Sequence, residues 1–575
     1  MRLLLVGINA KYIHSNPAIR ILAEYVKRRL PIEPQLLECT INQYPEDILR
    51  AIYEAQPDAV GFSCYIWNVS IVKTLIPALR KVLPGCILFA GGPEVSYNSV
   101  PFLKENALHF IIRGEGEIPL TDTVRCLLDG ESYAHVQGLT VRLEDGSIVQ
   151  NPDGAVPGMA DVPFPYTGLD ALKNRIVYYE TMRGCPFSCQ YCLSGCGGAV
   201  RFKPLETVYR ELDFFLSRSV PQVKFTDRTF NCSREYAMSV WRYLAAHDNG
   251  ITNFHFELAA ELLDEAAIRW LNTVRPGLFQ FEIGVQSTNP DTLRAVQRVT
   301  LPEKLTPVIR ALQKGENIHL HLDLIAGLPY EGYARFGESY NYVYSLHPDQ
   351  LQLGFLKLLH GSGLYEKREE YGLVCRDDAP YEILSTPWLP YSDVLRLKRI
   401  EALNELYYNS LRYQQEIAFL AGRFPSPFGF FEALAAFFEQ AGLFGAPLSK
   451  PDTYTALYRF AQGQGFDTET FCWLARYDMY AHEKVKKLPS WLDEGLKPLY
   501  RGRIYRFLDD PENRKRYLPE YGDLADTRQL IRNVHVEVFP FHPLTGQKRE
   551  TALLFSYRRR RPDKNAWIFE IQLPL

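Results

Sequence analysis

The sequence predicts an α/β chain in three parts. A parallel sheet covered on both faces comes first, then a partial (β/α)6 TIM-like barrel, then an α-rich extension ending in a small antiparallel sheet. Three observations predict this. Short apolar runs alternate with helical patterns through residues 1–131, the alternation resumes from Arg175 to residue 375, and beyond Arg376 dense Leu, Tyr and Phe stripes at helical spacing replace it. Strands separated by helices and short loops pair in parallel, because each return to the sheet needs a crossover. At 575 residues the chain is too long for one ordinary core.

In the first part, strands are predicted at Arg2–Gly7, Gln35–Cys39, Ala59–Cys64, Ile87–Ala90 and Phe110–Ile112. Helices are predicted near Pro17–Leu30, Pro45–Glu54, Val69–Val82 and Ile118–Leu128. Such sheets bind ligands at the carboxyl ends of their strands. Those ends carry Gly7-Ile-Asn, Ser63-Cys-Tyr, Gly91-Gly92-Pro and Gly114-Glu115-Gly116-Glu117, and glycine lets backbone approach a ligand closely. Residues 132–174 read as a linker: a hairpin of Leu139–Leu143 and Ile148–Gln150 around Glu144-Asp-Gly146, then the Pro- and Gly-rich stretch Asn151–Pro165. The second part, 175–375, has strands at Ile176–Thr181, Gln222–Thr226, Phe254–Leu258, Phe279–Val285, His319–Ile325 and Leu351–Leu356. The extension, 376–575, has helices at Tyr391–Ala421, Pro427–Ala441, Asp452–Gln462 and Thr468–Val485. Strands follow at Val534–Phe539, Ala552–Tyr557 and Trp567–Leu573. Its aromatic stripes read as core.

Bulk properties exclude several classes. Net charge is −3, so nothing favours general nucleic-acid binding; Arg558–Arg561 is read as a solvated hairpin turn beside Pro562. Eleven cysteines, scattered apart from one cluster, fit a reducing, cytoplasmic compartment. The N-terminus turns polar too soon for a signal peptide and reads as a buried strand. No stretch is long enough to span a bilayer, so no membrane association is expected.

The chemistry sits in Arg183-Gly-Cys-Pro-Phe-Ser-Cys-Gln-Tyr-Cys192. Cys185, Cys189 and Cys192 form C-x3-C-x2-C just after the first barrel strand. Three thiolates at this spacing can hold three irons of a [4Fe-4S] cluster and leave the fourth open to a small molecule. Cys196 would permit a closed cluster or a zinc site. Structural zinc, however, favours separated pairs, and the ferredoxin run has a different first gap and a proline where Gly197 stands.

The triplet, with aromatic Tyr191 before its last cysteine, resembles the signature of the radical S-adenosylmethionine (SAM) enzymes. The four glycine-bearing strand ends ahead of it, Arg113-Gly-Glu-Gly-Glu117 above all, resemble the Rossmann-like cobalamin-binding domain of one large radical-SAM class. The tail is similar to an uncharacterised C-terminal extension on some of its bacterial members. The resemblance implies SAM bound at the open iron and cleaved to a 5′-deoxyadenosyl radical. It implies Gln286 on the SAM ribose, the Gly327-Leu-Pro backbone beside adenine, and Tyr191 packed by the cluster. It also implies cobalamin contacts from Ser63, Gly91, Gly92, Gly114, Glu115, Gly116 and Glu117. The D-x-H-x-x-G motif is absent, which implies base-off cobalamin without a protein histidine; His14 reads as a packing or hydrogen-bonding residue. Glu257 and Glu282, at strand ends, are positioned to contact SAM, and Asp227 faces the same mouth as a catalytic or capping residue. The glycine-rich SAM-amine motif is missing, so the group that holds the ammonium is open.

The expected activity is cobalamin-dependent radical methylation of an unactivated carbon of an unknown substrate, with an electron donor such as flavodoxin or ferredoxin. Ring formation or rearrangement without methyl transfer is the second reading. A methylthiotransferase would need a second three-cysteine site, and a cofactor carrier would not need a polar residue at every barrel strand end.

Overall fold

The computed structural model describes residues 1–575 apart from 196–198, 300–301, 523, 525, 562–564 and 575. It divides into two compact units. The first comprises Met1–Gly332 and Gly354–Tyr391, the second Tyr333–Leu353 and Ser392–Leu575.

The first unit opens with a seven-stranded sheet of β1 (Leu3–Asn9), β2 (Gln35–Thr40), β3 (Ala59–Ser63), β4 (Ile87–Gly91), β5 (Phe110–Ile112), β6 (Leu139–Arg142) and β7 (Ile148–Gln150). Its order is β2-β1-β3-β4-β5-β6-β7. Every residue of β1 and β3 is buried, as expected for central parallel strands with helices on both faces. The chain turns from one side of β1 to the other before laying down β3, so the ligand crevice of this sheet lies at the carboxyl ends of β1 and β3. The predicted linker hairpin is in fact part of this sheet: β6 pairs antiparallel with β5, and β7 with β6. Apolar alternation identified the hairpin, but nothing local could show that its partner lies some thirty residues upstream.

A short stretch, β8 (Val177–Tyr179), leads into a two-residue ribbon of β9 (Met182–Arg183) and β10 (Arg201–Phe202). The barrel continues with β11 (Gln222–Phe225), β12 (Asn253–Leu258), β13 (Phe279–Gln286), β14 (His319–Ala326) and β15 (Gln350–Phe355). Strand order follows the chain, β8-β11-β12-β13-β14-β15, and pairing is parallel from β8 to β14. Alternation sorts the side chains. Phe225, Phe256, Phe279 and Phe281 meet Phe230 or Trp241 of the covering layer, and Phe254 packs on Phe225. Lys224, His255, Glu257, Glu282, His321 and Asp323 fall on the other, concave face. The unit closes with β16 (Val374–Cys375) and β17 (Ile383–Ser385), which pair antiparallel.

The second unit is helical, with a terminal sheet of β18 (Val534–Phe539), β19 (Thr551–Arg560) and β20 (Ala566–Ile571). The helix predicted at Tyr391–Ala421 is three pieces: an α-helix to Leu403, a π-helical segment Asn404–Asn409, and a new helix at Gln414–Ala421. Asn404 and Asn409 explain the break. Both side-chain amides donate to the Leu351 carbonyl, and Asn409 Oδ1 accepts the Leu351 N–H. Leu411 then takes a positive φ of 55°. The aromatic stripes are core: Phe430, Phe431, Phe460, Phe471 and Tyr407 are buried. Arg558–Arg560 lie in β19 and not in a turn, because β19 outruns the apolar pattern; Pro562 lies outside the described residues. No helix among the described residues is long and apolar enough to cross a membrane.

Candidate active site

The cysteine loop is held from below by Asp227, which follows β11. Its Oδ1 accepts the N–H groups of Thr181 and Met182, both at 2.9 Å, and its Oδ2 accepts the Thr181 hydroxyl at 2.6 Å. Burial pushes this carboxyl up to about 7 despite those donors. A carboxylate so engaged acts as a cap: it fixes the turn from β8 into β9. Gly184 follows at φ 96°, with room for a Cβ only 3.2 Å from the Ala199 carbonyl.

Cys189 is buried, while Cys185 and Cys192 are partly exposed; none is in a disulfide. Cys185 Sγ lies 3.4 Å from Thr229 Oγ1, the Ser194 N–H donates to Cys192 Sγ at 3.4 Å, and Arg298 Nη1 donates to Cys189 Sγ at 3.8 Å. Each sulfur thus has a polar partner that helps orient the loop. Backbone bonds fix the loop further: Gln190 N–H to the Val296 carbonyl, and Leu364 N–H to the Gln190 carbonyl. Cys196, the fourth cysteine of the closed-site alternative, lies outside the described residues. Cys232, which the sequence did not single out, sits nearby with Sγ 3.9 Å from Met182 Sδ. Burial pushes its thiol up to about 11, so it stays protonated.

Around this loop the barrel ends are polar. Glu257 faces Arg228 at 3.4 Å, and burial raises its carboxyl. Glu282 meets Lys224 Nζ and His255 Nε2, each at 3.0 Å. Burial opposes its ionisation, but the His255 bond, Lys224 and His321 outweigh it and hold the carboxyl well below its usual range. Glu282, His321 and Asp323 place one ligand atom each within 4.8 Å of one another. Lys224 already neutralises Glu282, so the group is a charge-compensated network. Gln286 ends β13 at φ 69°, and its Oε1 is buried with no hydrogen-bond partner among the described residues. That orphaned acceptor fits a bound hydroxyl, as on a ribose. Arg298, absent from the sequence reading, donates to the Gly284 carbonyl at 2.6 Å and so ties β13 to Cys189. Tyr191 packs against the apolar cluster that contains Leu328, and Gly327, at φ 89°, leaves room for Ile383 where a Cβ would come within 2.7 Å.

At the ends of the first sheet, Asn16 Nδ2 donates to Ser63 Oγ at 3.4 Å, and the Cys64 N–H donates to the Gly91 carbonyl. Gly92 stands at φ 107°, and a Cβ there would lie 2.5 Å from the Cys64 carbonyl. Gly114, at φ 68°, faces open space, and Gly116 starts the helix Glu117–Asp129. This bare backbone at the strand ends fits a ligand that approaches closely. The Glu115 and Glu117 carboxylates, expected to contact cobalamin, are paired here with arginines of the β9–β10 ribbon. His14 Nδ1 bonds the Tyr178 hydroxyl at 2.7 Å, which makes it a contact between the two sheets.

Comparisons agree with this geometry. Residues 3–124 match the B12 binding domain family, 179–343 the radical SAM superfamily, and 369–555 a family described as a protein of unknown function, DUF4080. The cobalamin-dependent radical SAM methyltransferase TokK of Streptomyces tokunonensis is 23% identical over 567 residues, covering 86% of this chain and 81% of TokK. Two solved structures share the fold. OxsB with aqua-cobalamin and SAM has a TM-score of 0.60 at 16% identity, over 83% of this chain and 79% of OxsB. The methyltransferase TsrM from Kitasatospora setae, with tryptophan and aza-SAM, has 0.56 at 17%, over 65% of this chain and 77% of TsrM. The chain therefore joins a B12-binding domain, a radical SAM domain and a DUF4080 region, and its cofactors are a [4Fe-4S] cluster, SAM and cobalamin.

Proposed function

We propose that this enzyme methylates an unactivated carbon of its substrate, taking electrons from a flavodoxin- or ferredoxin-type donor. The observation that carries the reading is the cysteine loop at the polar end of an open barrel, beside the strand ends of a B12-binding domain within one compact unit. The bound cofactors would supply one-electron reduction, hydrogen abstraction and a transferable methyl group. Cys185, Cys189 and Cys192 would hold the cluster, and Arg298 would brace Cys189. Gln286 and Glu257 would offer acceptors to SAM, Tyr191 and the Gly327 turn an apolar wall, and Glu282 a fixed negative charge. Ser63, Gly91, Gly92, Gly114 and Gly116 would offer cobalamin backbone and one hydroxyl. Asp227 would position the loop from beneath. In this reading residues 1–131 with the hairpin Leu139–Gln150 are the cobalamin domain, the rest of 132–174 a linker, 175–375 the radical SAM core and 376–575 the extension.

Anaerobic reconstitution with iron, sulfide and hydroxocobalamin tests it. The expected outcome is about four irons per chain, a base-off cobalamin spectrum, and 5′-deoxyadenosine with S-adenosylhomocysteine after reduction in the presence of SAM and substrate extract. Deoxyadenosine alone would favour rearrangement over methylation. Full cluster loading without deoxyadenosine would overturn the reading.

A further inference from the structure

We infer that Arg183 is the positioning residue of the cysteine loop, and that Glu115 and Glu117 of the first domain hold it in place. This rests on the two-cofactor reading above. Arg183 lies in β9, two residues before Cys185. Its Nη1 donates to Glu115 Oε2 and its Nη2 to Glu117 Oε1, both at 2.6 Å, while Nε reaches Glu180 Oε2 at 3.0 Å. The Glu117 side chain is 4% exposed and that of Arg183 15%, so solvent screens the pair weakly.

The ribbon itself calls for these carboxylates. Arg183 pairs directly with Arg201 across β9–β10, and like charges placed opposite each other on an antiparallel pair repel. Glu115 bridges them, with Oε2 on Arg183 and Oε1 on Arg201. The ribbon that encloses the cysteine loop thus closes around a turn of another domain. That turn is tightly specified: Gly114 is left-handed, and a Cβ on Gly116 would sit 3.2 Å from Leu22. It also stands at the carboxyl end of β5, on the same rim of the parallel strands as the ligand crevice at β1 and β3. A ligand seated there orders the same turn that orients Arg183, so filling the first domain stiffens the cluster loop. Only a planar fork can span both glutamates, which distinguishes arginine from lysine at this position.

The test uses full-length, anaerobically reconstituted protein and the variants Arg183→Met, Arg183→Lys and Glu117→Gln. Arg175→Met serves as control, because Arg175 makes a comparable ion pair with Glu38, 3.2 Å away and also between the two sheets. Amide exchange over residues 182–195 is followed with and without hydroxocobalamin, beside iron content, cobalamin spectrum and the electron paramagnetic resonance signal of the reduced cluster with SAM. In the parent, cobalamin should slow exchange of this segment about tenfold or more. Arg183→Met should keep its iron and cobalamin colour, lose that protection, and broaden the SAM-dependent cluster signal. Glu117→Gln should act likewise, and Arg183→Lys should fall between. Unchanged protection in Arg183→Met, or equal loss in Arg175→Met, would overturn the inference. A parent without a cobalamin spectrum would instead overturn the functional reading, and with it the purpose of the contact.

Discussion

The two units bury aromatic side chains equally well but treat polar ones in opposite ways. In the barrel, Phe254, Phe256, Phe279 and Phe281 fill one face of the sheet and leave the other to Lys224, His255, Glu257, Glu282 and Asp323. In the second unit aromatic rings fill the interior, and charges are sealed in isolated knots. Asp478 accepts the N–H groups of Gln415 and Glu416, while Glu416 itself is fully buried with neither oxygen partnered among the described residues. Burial raises both carboxyls well above their usual range. Arg476, His535 and Glu537 form a second knot, with the His535 Nε2–H donating to Glu537 at 2.8 Å. A polar face that stays open at strand ends is built to meet a ligand. A polar knot closed on every side helps define one packing arrangement and costs stability when it ionises.

The contrast predicts where substitutions hurt function and where they hurt folding. The largest effect belongs to Cys185→Ala, Cys189→Ala or Cys192→Ala. Each should abolish deoxyadenosine formation, on the order of a thousandfold or more, with an unchanged circular dichroism spectrum; residual turnover near parental rates would break the comparison. Next comes the knot at Glu537, whose carboxyl burial pushes up to about 7 from 4.5. Its folded value is raised, so its contribution is fully present below pH 4.5 and is lost as pH rises to about 7. The loss is about 3 kcal/mol. Peptide-resolved hydrogen exchange over β18–β20 should show this slope in the parent and a flat profile in Glu537→Gln; parallel profiles would count against it. Gly92→Ala should cost about 2 kcal/mol locally through strain at its positive φ and weaken cobalamin retention, read by the spectrum after gel filtration. Retained colour would detach Gly92 from that site. The smallest effect is expected of Arg559→Ala at the exposed C-terminal end of β19, within about 0.5 kcal/mol by denaturant unfolding; a larger loss would mean that this strand end is engaged.

Legibility in the sequence followed the range of the interactions. Strands such as Ile87–Gly91 and Phe110–Ile112 were readable because apolar runs bounded by glycine state their own period. The cysteine spacing was readable because three ligands share one loop. Glu115 and Glu117 were visible as a motif but not in their role, since Arg183 is 68 and 66 residues away. Arg298 and Cys232 looked like ordinary residues until the fold carried them to the loop. Glu416 falls inside a predicted helix, and nothing in its neighbours announces that helix Thr468–His482 covers it. The break at Asn404–Asn409 depended on the backbone of Leu351, out of reach of any local pattern.

The central claim is that three sulfurs hold the cluster and one iron remains open to SAM. Electron–nuclear double resonance on the reduced cluster with 15N-amine-labelled SAM tests it most directly, in the parent and in Cys196→Ala and Cys232→Ala. The account predicts coupling between the labelled nitrogen and the cluster in all three proteins at equal iron content. Absence of that coupling in the parent, or loss of iron when Cys196 or Cys232 is removed, would contradict it.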